Sequence, residues 1–296
     1  METLFEFFSF RDASVIAVVL GSILVTSSSA VVGTFTFLKK KALLGDAVAH
    51  AILPGICLAF ILSGTKNPLI LVVGAFITGW LSLVVIDYIS IKTKLKEDTA
   101  IALVLSVFFG IGILMLTRIQ HSGNAAQSGL DSFLFGNAAA LIGSDLLVFA
   151  TVSASLLFLI GLLFKEMKIL AFDPEYAKVI GLPVKGLELV LTSLTVLAVV
   201  TGIQAVGVVL MAAMLITPAA AARFWTQDTF KLVVIAGFLG AFSGLAGAFV
   251  SYTAPSMPTG PWIVMIISII ALVSFFIAPK RGIFARNLHQ LSLIHI

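Results

Sequence analysis

Apolar runs of close to 20 residues recur along the chain, separated by short polar segments. A helix of about 20 apolar residues crosses the ~30 Å hydrocarbon core of a bilayer and satisfies its own backbone hydrogen bonds there. The pattern therefore predicts an all-α polytopic membrane protein with about nine transmembrane helices, at approximately 13–37, 43–62, 68–91, 99–118, 142–164, 187–203, 206–223, 230–252 and 261–279. Only Gln204 and Ala205 separate the sixth and seventh spans, and if these two are one broken helix the alternative is eight spans.

Composition excludes the other fold classes. Charged residues make up 11% of the 296 residues, hydrophobic residues make up 60%, and the mean hydropathy is +1.16. A soluble domain carries roughly 25% charged residues, and a disordered chain is far less apolar. The single cysteine excludes a disulfide framework or a cysteine-rich metal site. Neither GxxxxGK[ST] nor HExxH occurs, so the chain has no P-loop for ATP and lacks the commonest zinc-protease motif.

The basic residues predict the orientation of the spans. Three of them, Arg11, Lys66 and Arg118, fall on one side of the predicted membrane, and the other fifteen fall on the opposite side. By the positive-inside rule the richer side is cytoplasmic. This places the C-terminus in the cytoplasm and, with nine spans, the N-terminus outside. The net charge of +4 is explained by this orientation, so no nucleic-acid partner is expected. The fifteen are Lys39–Lys41, Lys92, Lys94, Lys96, Lys165, Lys168, Lys178, Lys185, Arg223, Lys231, Lys280, Arg281 and Arg286.

Two ionisable residues, Asp46 and His50, fall inside the second predicted span. At 1.5 Å rise per residue, His50 lies roughly 13 Å beyond Lys41, close to the bilayer midplane. The i, i+4 spacing puts both side chains on one helix face. A carboxylate oxygen and an imidazole nitrogen together suit Mn²⁺, Zn²⁺ or Fe²⁺. Ionisable residues at this depth are usually functional, so the pair is a candidate metal site.

The structural alternative for this pair remains open from spacing alone. Asp46 would then cap its helix or reach the cytoplasmic interface, and His50 would hydrogen-bond to a neighbouring helix. Ala47, Ala49 and Ala51 are small, and we expect them to leave room around the pair. Two ligands do not complete a metal site. The others would come from other spans or from a second subunit.

The polar segment 165–186 carries a full set of helix-boundary signals. Asp173 can cap a helix, Pro174 suits its first position, and Glu175 favours the positive end of the helix dipole. Gly181 can end the helix, and Pro183 prevents it from resuming. These signals predict a short cytoplasmic helix of about two turns. Such a helix is typical of a docking element, although a plain interfacial connector is the alternative.

The segment GDAVAHAILPG (Gly45–Gly55), just after the basic turn, resembles an element of the integral membrane permeases of bacterial ABC importers for manganese, zinc and iron. The resemblance extends from about residue 13 to Arg286. Three further matches follow in the family's order: FLFGNAA (Phe133–Ala139), DPEYAKVIGLPV (Asp173–Val184) and QAVGVVLMAAMLITPAAAA (Gln204–Ala222). The first of them, FLFGNAA, favours the manganese/iron branch over the zinc branch.

The resemblance implies a single transmembrane permease domain over residues 1–286, in a bacterial inner membrane and surrounded by its lipid. Two permeases, identical or paralogous, would form the pathway. Two cytoplasmic ATPase subunits would drive it, so ATP hydrolysis would take place on a separate chain and this chain would not itself be an enzyme. An extracytoplasmic metal-binding protein would deliver Mn²⁺, Zn²⁺ or Fe²⁺ as cargo, with no permanently bound cofactor.

The resemblance also assigns roles to residues. Asp46 and His50 match the motif positions that contact the ion in transit. The segment 173–181 matches the coupling helix that sits in a groove of the ATPase, with Asp173, Pro174, Glu175, Tyr176, Lys178 and Gly181 as its matching residues.

Two other classes of transporter are alternatives. A secondary metal transporter would also place a carboxylate and an imidazole at the midplane, but it needs no capped cytoplasmic helix and no ATP. An ABC permease for an iron chelate or cobalamin would share the coupling helix, but it needs a wide cavity and no ion-ligating pair.

The C-terminal residues 287–296 form a tail outside the resemblance. Its last six residues, Leu291–Ile296, read LSLIHI, which a common sequencing-library transposon adapter encodes in one frame. We expect residues 291–296 to be an artefact of sequencing, and a genuine apolar tail is the alternative.

Overall fold

The computed structural model describes residues 13–41, 43–65, 67–121, 143–253, 258–279 and 282. Within these residues every regular element is a helix. The FLFGNAA segment and the tail 287–296 lie outside the described residues. The helices are α1 (Ala13–Leu38), α2 (Leu43–Ala51), α3 (Leu53–Ser63), α4 (Pro68–Lys92), α5 (Glu97–Gln120), α6 (Gly143–Leu162), α7 (Phe164–Phe172), α8 (Pro174–Val179), α9 (Val184–Val206), α10 (Val208–Trp225), α11 (Thr229–Thr253) and α12 (Thr259–Ile277).

The described helices confirm the all-α polytopic fold, but the predicted count of about nine spans is slightly too high. Seven spans are long and apolar enough to cross a membrane, with α2 and α3 counted together as one. The helices α6 and α7, bent by 70° relative to each other, make an eighth if they are one span. The predicted span 206–223 is a shorter apolar helix, Leu210–Trp225. The reason is Gly207, whose φ of 93° interrupts the helix between α9 and α10. Only glycine adopts such a φ without strain.

Helices α1 and α11 pack closely because α11 presents glycines to α1. A Cβ built on Gly240 would lie 2.6 Å from the Thr26 carbonyl oxygen, and one on Gly244 would lie 2.9 Å from that of Ser22. Without side chains at these positions the two backbones approach each other directly, as in small-residue interfaces of membrane helices.

We therefore expect Gly240→Ala to destabilise the protein by about 1–3 kcal/mol, the usual effect of overpacking. Gly110 on α5 is the matched control, because a Cβ there meets nothing within 4 Å. Alanine also loses less backbone entropy than glycine on folding, so Gly110→Ala should leave stability unchanged or raise it. Thermal unfolding in detergent measures both variants. Equal losses in Tm would contradict this account of the α1–α11 contact.

Ion pairs join several helices at one end of the bundle, here called the basic end. Lys39 Nζ lies 2.7 Å from Glu188 Oε1, linking the α1–α2 turn to α9. Lys41 Nζ lies 3.6 Å from Glu97 Oε1, linking the same turn to α5. These two ion pairs bring the α1–α2 turn together with the start of α5 and the first turns of α9.

Candidate metal site and docking helix

The candidate metal residues lie on α2, which continues into α3 as one span, Leu43–Ser63. The backbone stays helical through the junction, where Ile52 has φ −79° and ψ −17°. Pro54 follows in the first turn of α3. Proline has no N–H, so it cannot donate to the His50 carbonyl four residues earlier. The helix is therefore weakened one turn beyond His50.

Asp46 and His50 face each other along α2. His50 Nε2 lies 3.5 Å from Asp46 Oδ1, and the side chains are 19% and 41% exposed, respectively. This separation exceeds the ~2.7–3.2 Å of an ordinary N–H···O hydrogen bond. Two ligand atoms that each lie ~2.1 Å from a metal at a tetrahedral angle are about 3.4 Å apart. A separation of 3.5 Å is thus compatible with two ligands of one metal ion.

The His50 ring is held by an aromatic contact that the sequence did not indicate. The ring of Phe109, on α5, meets the imidazole edge to face, with centroids 4.9 Å apart and an interplanar angle of 84°. Nδ1 of His50 is buried and has no hydrogen-bond partner among the described residues. The hydrogen bond to a neighbouring helix that the structural alternative requires is therefore not made within this part of the chain.

The alanines next to the pair lie in the packed part of α2, and the expectation that they leave room around the pair stays a prediction. Ala47, Ala49 and Ala51 are all fully buried, because α2 packs against α4, α5, α9 and α10 and these residues fill the contacts. The open side of α2 is the face that carries Asp46. Within the described residues no group of three or more histidine, cysteine, aspartate or glutamate side chains could hold a metal ion. A complete site thus needs ligands beyond the pair.

The short helix predicted around Asp173 is present as α8, Pro174–Val179. The Asp173 carboxylate accepts a hydrogen bond from the Tyr176 N–H at 2.9 Å, and Pro174 opens the helix. Lys178 Nζ donates to Glu175 Oε1 at 2.8 Å, and this hydrogen bond raises the pKa of the lysine. Gly181 has φ 83° and follows the helix, as predicted.

The segment from the end of α7 to just beyond α8 exposes several large apolar side chains. Val179 is 83% exposed, and Phe172, Tyr176 and Ile180 are also exposed. Opposite them, Ala177 is fully buried and fixes the helix to the rest of the chain. Large exposed apolar side chains, here Tyr176 and Val179 on the capped helix and two more beside it, are typical of an interaction surface.

A model of the family described as ABC 3 transport family matches residues 11–278. The chain belongs to the ABC 3 transport family. It is 47% identical over 276 residues to the manganese transport system membrane protein MntC of Bacillus subtilis (strain 168), covering 93% of this chain and 63% of that protein. It is 42% identical over 274 residues to the zinc transport system membrane protein TroC of Treponema pallidum (strain Nichols), covering 93% and 92%.

A solved structure agrees with this membership. The chain superposes on a chain of PsaBC from Streptococcus pneumoniae, determined in complex with Fab, with a TM-score of 0.85 and 33% identity, covering 97% of this chain and 99% of that one. An inward-facing putative metal-chelate type ABC transporter gives a TM-score of 0.69 at 16% identity, covering 88% and 85%. The second likeness concerns the fold alone.

Proposed function

We propose that this chain is the membrane-spanning permease subunit of an ATP-driven importer that moves Mn²⁺, Zn²⁺ or Fe²⁺ into the cytoplasm. Membership of the ABC 3 transport family supports the transport mechanism. The names of the Bacillus and Treponema relatives support a transition-metal cargo. The metal is substrate and passes through without remaining bound.

The observation that carries the proposal is the 3.5 Å approach of Asp46 and His50 on a membrane helix. An anionic oxygen and a neutral nitrogen replace part of the hydration shell of a dication. A carboxylate also offsets its charge, which is costly in lipid. Two ligands hold the ion too weakly to trap it.

A second permease subunit would complete the site. Asp46 is 41% exposed in the single chain, so its carboxylate is available to a neighbour. A matching pair from a second subunit, identical or paralogous, would bring the ligands to four, the number that Zn²⁺ prefers, whereas Mn²⁺ would keep some water.

The energy source is a separate ATPase, which α8 would engage as a coupling helix. The capped helix and its exposed apolar residues support docking to a cytoplasmic partner. We assign Asp173 and Pro174 to the start of this helix, Glu175, Tyr176 and Lys178 to its exposed surface, and Gly181 to its end. An extracytoplasmic metal-binding protein would deliver the ion at the other end.

Uptake of radiolabelled Mn²⁺ and Zn²⁺ tests the proposal in cells that lack their own importers. The permease should import metal only when its ATPase and binding protein are co-expressed. Uptake by the permease alone would indicate a secondary transporter. Uptake of an iron chelate or cobalamin without any uptake of free metal would indicate the other alternative class.

Orientation in the bacterial cell membrane is tested by cysteine labelling. Thr65 is exposed in the turn between α3 and α4, and Lys178 lies on α8. We expect Thr65→Cys to react with an impermeant maleimide on intact cells and Lys178→Cys to react only after lysis, since the basic end is cytoplasmic. The parent chain is the control, because its one cysteine, Cys57, is buried. The reverse labelling would overturn the proposed orientation and the cytoplasmic C-terminus.

A further inference from the structure

The ring of His50 lacks the hydrogen bond that usually orients a metal-ligating histidine. Such a histidine binds the metal through one ring nitrogen and donates the other ring N–H to a carbonyl or carboxylate, which fixes the ring orientation. In His50, Nε2 faces Asp46 Oδ1 at 3.5 Å, so Nδ1 is the nitrogen left for the second role. Nδ1 is buried and has no hydrogen-bond partner among the described residues. Within this part of the chain, a different contact therefore orients the imidazole.

Phe109, on α5, supplies that contact. Its ring and the imidazole of His50 have centroids 4.9 Å apart and planes at 84°, which is a favourable edge-to-face geometry for two aromatic rings. The χ2 torsion of histidine is intrinsically broad, so the imidazole turns readily unless a neighbour restrains it. The Phe109 ring limits this rotation and keeps Nε2 directed at Asp46.

A close contact between helices fixes Phe109 beside His50. Gly112 follows Phe109 by three residues on α5, and Leu53 follows His50 by three residues, so each pair shares a helix face. A Cβ built on Gly112 would lie 2.8 Å from the Cβ of Leu53 and 2.9 Å from its Cγ. Leu53 is 2% exposed, so its side chain has little freedom to turn aside. Glycine at position 112 therefore allows α5 to approach closely enough for Phe109 to reach the imidazole.

The orientation of the imidazole matters more to one metal than to another. Imidazole nitrogen suits Zn²⁺, whereas carboxylate and water oxygens suit Mn²⁺. An imidazole that turns away from Asp46 removes the nitrogen ligand and leaves the carboxylate with water. This oxygen-only set still suits Mn²⁺ and suits Zn²⁺ less well. A residue that restrains the imidazole therefore favours Zn²⁺.

We propose that Phe109 is a positioning residue for the transported metal. Its ring holds the imidazole of His50 toward Asp46, and it thereby raises the affinity of the pair for Zn²⁺ relative to Mn²⁺. Gly112 keeps the Phe109 ring within reach of the imidazole. The inference rests on the proposed function of Asp46 and His50 as metal ligands. Metal binding can be measured without transport.

The test measures equilibrium binding of radiolabelled Zn²⁺ and Mn²⁺ to the purified complete transporter in detergent. Binding that is lost in the Asp46→Ala/His50→Ala double variant is assigned to the pair. Phe109→Leu keeps an apolar side chain and removes the ring. We expect it to raise the dissociation constant for Zn²⁺ about threefold to tenfold, the range that an edge-to-face aromatic pair supplies. The dissociation constant for Mn²⁺ should change by less than about twofold, because oxygen ligands suit this ion.

Further variants separate positioning from packing. Phe109→Tyr keeps the ring and should retain the ratio of the two dissociation constants. The neighbouring Phe108 is partly buried against the hydrophobic core and points about 100° away around the helix. Phe108→Leu should therefore lower thermal stability without changing the ratio.

Two glycines of α5 provide a second matched pair. Gly112→Ala forces α5 and Leu53 apart, so it should weaken Zn²⁺ binding more than Mn²⁺ binding, as Phe109→Leu does. Gly110→Ala is the control, because a Cβ at this position meets nothing within 4 Å. It should leave both dissociation constants unchanged.

Three results would overturn the positioning role. One is an equal change in the affinities for Zn²⁺ and Mn²⁺ in Phe109→Leu, or no change in either. Another is a Phe109→Tyr variant that behaves like Phe109→Leu. The third is a shift of the ratio in Phe108→Leu as large as that in Phe109→Leu. Failure of the proposed function gives a different result: a selectivity shift in Phe109→Leu with no metal uptake by the unmodified transporter.

Discussion

Replacing Asp46 or His50 by alanine should reduce metal uptake to the background of cells without the permease. Each change removes one of the two proposed ligand atoms, which lie 3.5 Å apart, so less of the hydration shell that the ion loses is replaced. Asp46→Asn should fail almost as completely, because an amide cannot neutralise a dication. Radiolabelled Mn²⁺ and Zn²⁺ uptake at matched expression measures the effect.

Assembly must be intact for this result to be informative. We expect both alanine variants to co-purify with the ATPase, because both side chains are partly exposed and neither carries the packing of α2. Asp98→Ala is the matched control, an exposed acid on another helix, and it should transport normally. Near-normal uptake by Asp46→Ala and His50→Ala would reduce the pair to structural residues and remove the main support for the proposed function.

Disturbing α8 should uncouple ATP hydrolysis from transport while leaving the permease in the membrane. Gly181→Pro imposes a negative φ where the backbone has 83°, and it removes the N–H that donates to the Lys178 carbonyl at 3.1 Å. The double reversal Glu175→Lys/Lys178→Glu keeps an ion pair but exchanges the charges on the exposed surface. For each variant we expect binding-protein-stimulated ATP hydrolysis to fall about tenfold or more, equivalent to about 1.4 kcal/mol.

A second left-handed glycine supplies the control for backbone strain. Gly64 has φ 63° at the end of α3 and, like Gly181, has open space around its Cβ position. Gly64→Pro should therefore match Gly181→Pro in its loss of thermal stability, and only Gly181→Pro should lose its association with the ATPase. If stimulated hydrolysis and uptake both survive in the α8 variants, the helix is only a connector.

Features that depend on local sequence were predictable. The boundaries of α8 follow from Asp173, Pro174 and Gly181, because capping, proline geometry and a left-handed residue act within one turn. Asp46 and His50 share a face because any helix places residues i and i+4 together. The apolar runs predict membrane helices because lipid leaves few other backbone structures possible.

Features that depend on which helices meet were not predictable. The count of about nine spans exceeds the observed seven or eight, because Leu210–Trp225 is too short to count as a span and α6 with α7 is bent by 70°, and hydropathy registers neither feature. Ala47, Ala49 and Ala51 are small in any context, and only the packing of α2 against four helices shows that all three are buried.

The sequence by itself determined the class of protein, the helix that carries Asp46 and His50, and the capped helix α8, because each follows from neighbours within a few residues. The tertiary structure decided what surrounds them. Phe109 reaches His50 from a different helix, and Gly112 of that helix lies against Leu53. Such contacts depend on how helices distant in sequence pack together, and hydrophobic periodicity carries no information about which faces will meet.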